Sequence, residues 1–381
     1  MLTPEQASAL AQAAVERVRA LGADASDAIV STDAATSVSV RLGALEEVGR
    51  SEDSELGVRA FVGNRSASVS TGDLSPSALD ALAERVVAMA RAAPEDPYAG
   101  LAPPDRLLRG PVPHLDLDDG GEVAPEALRE AALAVEDAAR AVAGVTNSQG
   151  GSASAGRSVI ALATSTGFAA GYAVSSHGLS ASVLAGTGAD MQRDYASHSA
   201  RHRGDLESPE VIGARAGARA VARLHPVRRG SGAMPVVFDP RVGSGLVGHL
   251  IGAIAGPAVA RGTSFLRDCI GTEVFAPGIT ILDDPHRPRG LRSRPFDGEG
   301  LAVSPSALVE GGVLNGWLMD SASARQLGLA PTGHAARGSA GAPGVSTGNV
   351  HLAPGTHSPG ALIADIELGV LVFELIGQGV N

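Results

Sequence analysis

Four groupings in this chain carry residue types that could do chemistry. His198 and His202 stand four apart, a spacing that puts two imidazoles on one face of a helix, where they could share a metal ion. Asp283, Asp284, Asp297 and Glu299, with His286 among them, could form an oxygen-rich cation site. Gly344-Val345-Ser346-Thr347-Gly348 has the letters of a nucleophile elbow. Gly243-Ser244-Gly245-Leu246-Val247-Gly248 has those of a dinucleotide fingerprint.

The sequence around each grouping favours a plainer reading. No carboxylate separates the two histidines and Arg201 and Arg203 flank the second, as on a solvated face or strand end. Glycines and prolines between the carboxylates point to a turn-forming loop. The elbow follows Pro343, leads into the extended Asn349–Leu352, and no histidine follows Asp365, so the order of a serine hydrolase is missing. The fingerprint glycines fall inside a helix that Asp239-Pro240 should open, whereas pyrophosphate binding needs them at the strand-to-helix turn. Asn64-Arg65-Ser66 is a glycosylation sequon by letter only.

That helix is the stretch around which the chain is organised. It follows a β-branched run, Val236–Phe238, is apolar nearly all round, and carries glycines at 245, 248, 252 and 256. The spacing predicts a glycine face that another backbone approaches closely, in a helix packed on both sides. His249 is the only ionisable side chain between Arg241 and Arg261.

The elements that must position these residues read as follows. Thr3-Pro4-Glu5-Gln6 has the form of a capping box opening a helix to about Leu21. Short strands follow at Ala28–Ser31, Ser37–Arg41, Leu45–Arg50 and Leu56–Val62, with Gly63-Asn64 turning into Ser66–Ser70. Proline at the first helical position marks six helix starts, at 4, 76, 125, 209, 240 and 359. Period-2 alternation from 144 to 199 predicts long antiparallel strands. The fold class is therefore α+β: a small helix–meander–helix unit at 1–92, a Pro/Asp/Gly-rich surface linker at 93–124, and a helix-plus-antiparallel-strand domain at 125–226. A C-terminal domain at 233–381 holds the buried glycine-rich helix.

Composition narrows the function. All 30 basic residues are arginine, because the 381-residue chain has no lysine, which excludes a Walker-A lysine and a pyridoxal-phosphate Schiff base. A net charge of −11 without a basic cluster argues against direct nucleic-acid binding. The single cysteine, Cys269, excludes an internal disulfide and a multi-cysteine zinc site. No signal peptide is visible, and Leu246–Ala260 is short for a membrane span, so the expectation is a cytoplasmic protein.

Several stretches in register resemble the TldD/PmbA family, once labelled modulators of DNA gyrase. They are Ser37–Gly43, Ser66–Ser68, Thr71–Pro76, Asp96–Gly100, Gly245–Gly256, Phe296–Gly300, Asp320–Leu329, Thr332–Ala335 and Glu374–Asn381. The resemblance covers essentially the whole chain. It implies two branches that can pair as a heterodimer, one of them a zinc peptidase with an HExxxH motif on the helix after the strand. By position the first ligand corresponds to Gly248, the glutamate to His249 and the second histidine to Ala253. The resemblance is thus to the PmbA (TldE) branch, without catalytic residues, metal or cofactor in this chain. It further implies a TldD-type or self partner, an extended peptide substrate, and additional strands beyond Asn381, without which a sheet edge would be exposed. Two alternatives follow: a metallopeptidase using His249, His286 and His334, or a stand-alone gyrase or toxin–antitoxin modulator.

Overall fold

The computed structural model describes residues 1–228 and 230–375. Helix α1 (Pro4–Ala20) precedes strands β1 (Ala25–Arg41), β2 (Ala44–Val62) and β3 (Arg65–Thr71), and helix α2 (Pro76–Ala92) follows them. Helix α3 (Pro125–Arg140), strands β4 (Val145–Thr164), β5 (Ala169–Ala185) and β6 (Gln192–Ala200), and helix α4 (Pro209–Ala222) come next. Then come β7 (Val236–Phe238), α5 (Pro240–Ala253), α6 (Gly256–Ala260), β8 (Ile281–Asp284), β9 (Ser306–Glu310) and β10 (Val313–Leu314). Helix α7 (Ser321–Leu327), β11 (Ala335–Ala336), β12 (Gly344–Val345), β13 (Asn349–Leu352), α8 (Pro359–Ala364) and β14 (Val370–Val372) complete the described chain.

The class is α+β, as the periodicities predict. Six antiparallel strands form one sheet in the order β3-β2-β1-β4-β5-β6. Because β1 pairs with β4 from Asp27–Thr164 to Val40–Gly151, the N-terminal unit and the middle segment share that sheet. Both helix pairs lie on one face. Helices α1 and α2 cover Ala28, Val30, Leu56, Val58 and Val159, and α3 and α4 cover Val38, Val40, Leu179, Ala181 and Val183. Each such valine or leucine taken out of water contributes about 1.5–3 kcal/mol. The opposite face is used where Ile29 and Leu162 pack with Phe168, Phe296 and Leu301, and farther along β5 where Leu115 and Leu117 cover Val174.

Two local expectations change. The four short strands expected between 28 and 62 are two continuous ones, Ala25–Arg41 and Ala44–Val62. The polar stretches taken as breaks, such as Asp33–Thr36 and Ser51–Glu55, pair residue for residue across the hairpin. Hairpin pairing overrides their weak strand propensity. The 93–124 segment is a strap more than a surface linker. It buries Ala102, Leu107, Leu115 and Leu117, and the Leu117 carbonyl accepts the Ser175 N–H at 2.9 Å where β5 runs past the end of β6.

Helix α5 also differs from expectation. Val242, Leu250, Ala253 and Ile254 are buried, and Leu250, Ala253 and Ile254 pack with Leu266, Ile281, Val309 and Leu318. The other side is open: a Cβ at Gly248 or Gly252 would meet no atom within 4 Å. Close approach occurs only at Gly256, beyond the break at Ile254. A Cβ there would lie 2.5 Å from Ser323 Oγ and 2.6 Å from Met319 Sδ.

The far end of the sheet depends on one buried carboxylate. Leu42 and Gly43 both have positive φ, 52° and 77°, and turn β1 into β2. Their N–H groups donate to Glu136 of α3 at 2.7 and 2.9 Å, and Glu136 is fully buried. Burial alone would raise its pKa, but the Ser148 hydroxyl and these two N–H groups outweigh that and hold it below the usual carboxylate range. Hydrogen bonds to a buried charge are worth about 1.5–3 kcal/mol each. We expect Glu136→Ala to lower unfolding free energy by about 3 kcal/mol in urea titrations at pH 7. Because the folded pKa is depressed, the difference from wild type should shrink as pH falls below about 4.5.

Candidate functional site

The helix that would hold a metal in the resembled peptidases begins as the sequence predicts. The Asp239 carboxylate accepts the Arg241 N–H at 2.9 Å and Pro240 takes the first position, so the glycines at 243, 245 and 248 lie within α5. A dinucleotide turn is therefore not built here. Gly248 is exposed, His249 half-buried and Ala253 buried. Gly248 and Ala253 have no side-chain donor atom, and a single imidazole at 249 is a poor zinc site. The residues present do not fit the metal.

The other candidates are dispersed. His198 lies on strand β6, where its Nδ1 accepts the Glu207 N–H at 3.2 Å. His202 lies beyond the strand and faces Asp116, with Nε2 3.3 Å from Oδ1. On a strand, residues four apart are about 13 Å apart, too far to share one ion. Asp284 caps the His286 N–H at 3.0 Å. Asp283 Oδ2 accepts the Gly348 N–H at 2.9 Å and lies 3.2 Å from His334 Nε2, whose Nδ1 is 2.8 Å from Thr332 Oγ1. Ser346 in the elbow-like stretch accepts a hydrogen bond from Arg292 and leads into strand β13, with no helix after it. Among the described residues no three His, Cys, Asp or Glu side chains gather as a metal site, so His249, His286 and His334 are not brought together.

What is gathered instead is a buried charge cluster where the C-terminal half meets the sheet. Asp27 on β1 receives Arg59 Nε of β2 at 2.9 Å on Oδ2 and Arg337 Nη2 at 3.1 Å on Oδ1. Their side chains are 4, 7 and 0 % exposed. Beside them Glu299 Oε2 accepts the Ser321 N–H at 2.9 Å and its hydroxyl at 2.6 Å. Asp297 takes the N–H groups of Glu299, Leu301 and Ala335. The segment after Arg337 lies directly on β2, where Ser339 bonds Glu55 and a Cβ at Gly57 would collide with the Ser339 carbonyl. A second buried pair joins the strap to the sheet: His177 Nε2 lies 2.7 Å from Asp119 Oδ2. None of Asp27, Arg59, Arg337, His177 and Asp119 belongs to a motif or spacing that marks it in the sequence. A guanidinium inside the apolar run Leu56–Val62 was the available signal for Arg59.

Burial pushes the Glu299 carboxyl up to about 7, opposed by Ser321 and reinforced by Asp297. Asp297 is raised too, by burial first, with its three N–H donors opposing. A raised carboxyl pKa means that the folded state holds the proton more tightly. The associated stability is complete below pH 4.5 and is lost as pH rises through 7. The cost of ionising Glu299 in the fold is about 3 kcal/mol. We expect Glu299→Gln to flatten the decline in thermal or urea stability between pH 5 and pH 8 by up to about that amount. A slope identical to wild type would show that the carboxyl is ordinary.

Comparison with known proteins places these features. Family models described as PmbA/TldA metallopeptidase domain 1, central domain and C-terminal domain match residues 26–90, 118–224 and 231–381. The chain is 38 % identical over 362 residues to "Metalloprotease PmbA" of Escherichia coli O157:H7, covering 94 % of this chain and 78 % of that protein. It is 33 % identical over 373 residues to the "Metalloprotease PmbA homolog" of Haemophilus influenzae, covering 97 % and 80 %. A crystal structure from Bacteroides thetaiotaomicron, of a protein proposed to be a DNA gyrase modulator, superimposes with a TM-score of 0.90 at 26 % identity, over 99 % of this chain and 84 % of that one. TldE from Thermococcus kodakarensis shares the fold, with a TM-score of 0.84 at 21 % identity over 94 % and 80 %.

Proposed function

The chain belongs to the PmbA/TldD metallopeptidase family, and on that premise we propose that it is a non-catalytic subunit that works with a TldD-type peptidase on unfolded peptides. The observation that carries this reading is the residue set on α5. Where the resembled peptidases have two histidines and a glutamate, this chain has Gly248, Ala253 and His249. A bound zinc ion would polarise the scissile carbonyl and activate water, and nothing at these positions could hold one. The chain's own contribution is then a scaffold and part of the peptide-binding wall, placed in the cytoplasm with its partner. No helix among the described residues is long and apolar enough to cross a membrane.

The purified chain should hold no stoichiometric zinc by elemental analysis and should leave an unstructured peptide intact. Mixed with a homologue that retains HExxxH, it should support cleavage. One zinc ion per chain together with cleavage by the chain alone would overturn the assignment. His249→Ala should leave the activity of the mixed complex within about twofold of wild type, because a half-buried imidazole without co-ligands contributes packing only. A loss of several orders of magnitude would instead mark His249 as catalytic.

A further inference from the structure

Charges along the β1–β2 hairpin are matched at some levels of the sheet and not at others. At the end joined to the C-terminal half, Asp27 is matched by Arg59 and Arg337. Midway along the β1–β2 hairpin Asp33 and Asp53 are direct cross-strand partners. Asp33 receives only the Ser158 hydroxyl, and Asp53 only the N–H of Ser54. Among the described residues no arginine pairs with either, nor with Glu47 on the same face of β2; Arg50, on the helix-bearing face, pairs with Glu52 at 2.6 Å. Like charges placed opposite each other in a sheet are destabilising.

The same stretch of β2 has an open edge. Strand β3 pairs with β2 only from Leu56 to Val62, so Ala44–Glu55 is paired on the β1 side alone. Its outward N–H and C=O groups are a template for another strand. Leu45 and Val48, 48 and 51 % exposed, lie on the face that carries the helices. Asp53 and Glu47 lie on the other face, with Asp33. Carboxylates along the edge disfavour pairing with a second copy, which would oppose acid to acid. They select for a cationic partner.

We propose that the Ala44–Glu55 edge binds an extended peptide segment in which basic and apolar residues alternate, added to the sheet as a seventh strand. The basic residues meet Asp33, Asp53 and Glu47, the apolar ones meet Leu45 and Val48, and the backbone supplies the pairing. This rests on the peptide-handling role proposed above and names the place and the chemistry of the peptide.

The test uses a blocked peptide of about ten residues alternating arginine and valine, the length a strand of that edge accommodates. Amide hydrogen exchange of the whole chain should slow across 44–54 when the peptide is added. A glutamate–valine peptide should not bind, and N-methylation at alternate residues should abolish binding of the arginine form. The Glu47→Lys/Asp53→Lys variant should bind the arginine peptide about tenfold or more weakly and gain affinity for the glutamate peptide. Equal binding of both peptides, or protection elsewhere but not at 44–54, would overturn the inference. If the variant does not fold, the exchange footprint on the unaltered chain decides alone. Cleavage by the mixed complex is measured in parallel: cleavage without an edge footprint rejects the edge and keeps the subunit role, whereas failure to support cleavage rejects the role itself.

Discussion

The buried Asp27 carboxylate, shared between Arg59 and Arg337, is the interaction on which the relation of the two halves depends. Two guanidiniums against one carboxylate would leave net positive charge in a site almost without solvent, which costs several kcal/mol. Glu299 is the nearby second acid, and its charge couples to Arg59 and Arg337. The set balances only when Glu299 is ionised, while its burial resists ionisation. The junction is therefore electrostatically poised near neutral pH, and the geometry around it is narrow. Arg337 can reach Asp27 only because Gly57 has no Cβ, which lets the Ser339 carbonyl rest on β2. That docking fixes the loop carrying His334 and Ala335, and so sets where the Asp283 and Asp297 carboxylates find their donors.

Much of the fold was legible because its signals are local. Proline at the first helical position is compatible with only a few backbone geometries, and all six such sites open a helix. Asp320 caps the short α7, its carboxylate accepting the Ser323 N–H. The strands between 25 and 62 were misread because their continuity comes from cross-strand pairing, which residues such as Asp33 and Ser51 do not announce. The charge cluster was illegible for a related reason. Asp27, Arg59 and Arg337 are far apart in sequence, and each alone resembles a surface residue. The carboxylates at 283, 284, 297 and 299 read in sequence as a turn-forming loop. Asp283, Asp297 and Glu299 prove to be buried acceptors with donors of their own, although Oδ1 of Asp283 has no partner among the described residues.

The reading of α5 as a helix packed on both sides changed. The glycines do not make a close-packed face, because the side carrying Gly248 and Gly252 is open. The three positions are occupied by Gly248, His249 and Ala253. A glycine, an alanine and one imidazole leave a helix buried on its Leu250–Ile254 side, with room but no donor set on the other. Small residues at 248 and 252 leave the backbone itself accessible along that side among the described residues.

The two ends of the sheet then divide the labour. Its face away from the helices is apolar where Ile29 and Leu162 receive Phe296 and Leu301, and every nearby buried acid has a donor. Toward Ser37, Ser39, Ser152 and Ser180 the same face carries small polar side chains, with carboxylates that lack cations at its border. A fold that matches a buried aspartate with two arginines at one end is not short of arginine, having 30 basic residues in all. Unmatched charge at Asp33, Asp53 and Glu47 is then a property of the surface, and unmatched charge beside unpaired backbone is what an extended cationic segment recognises.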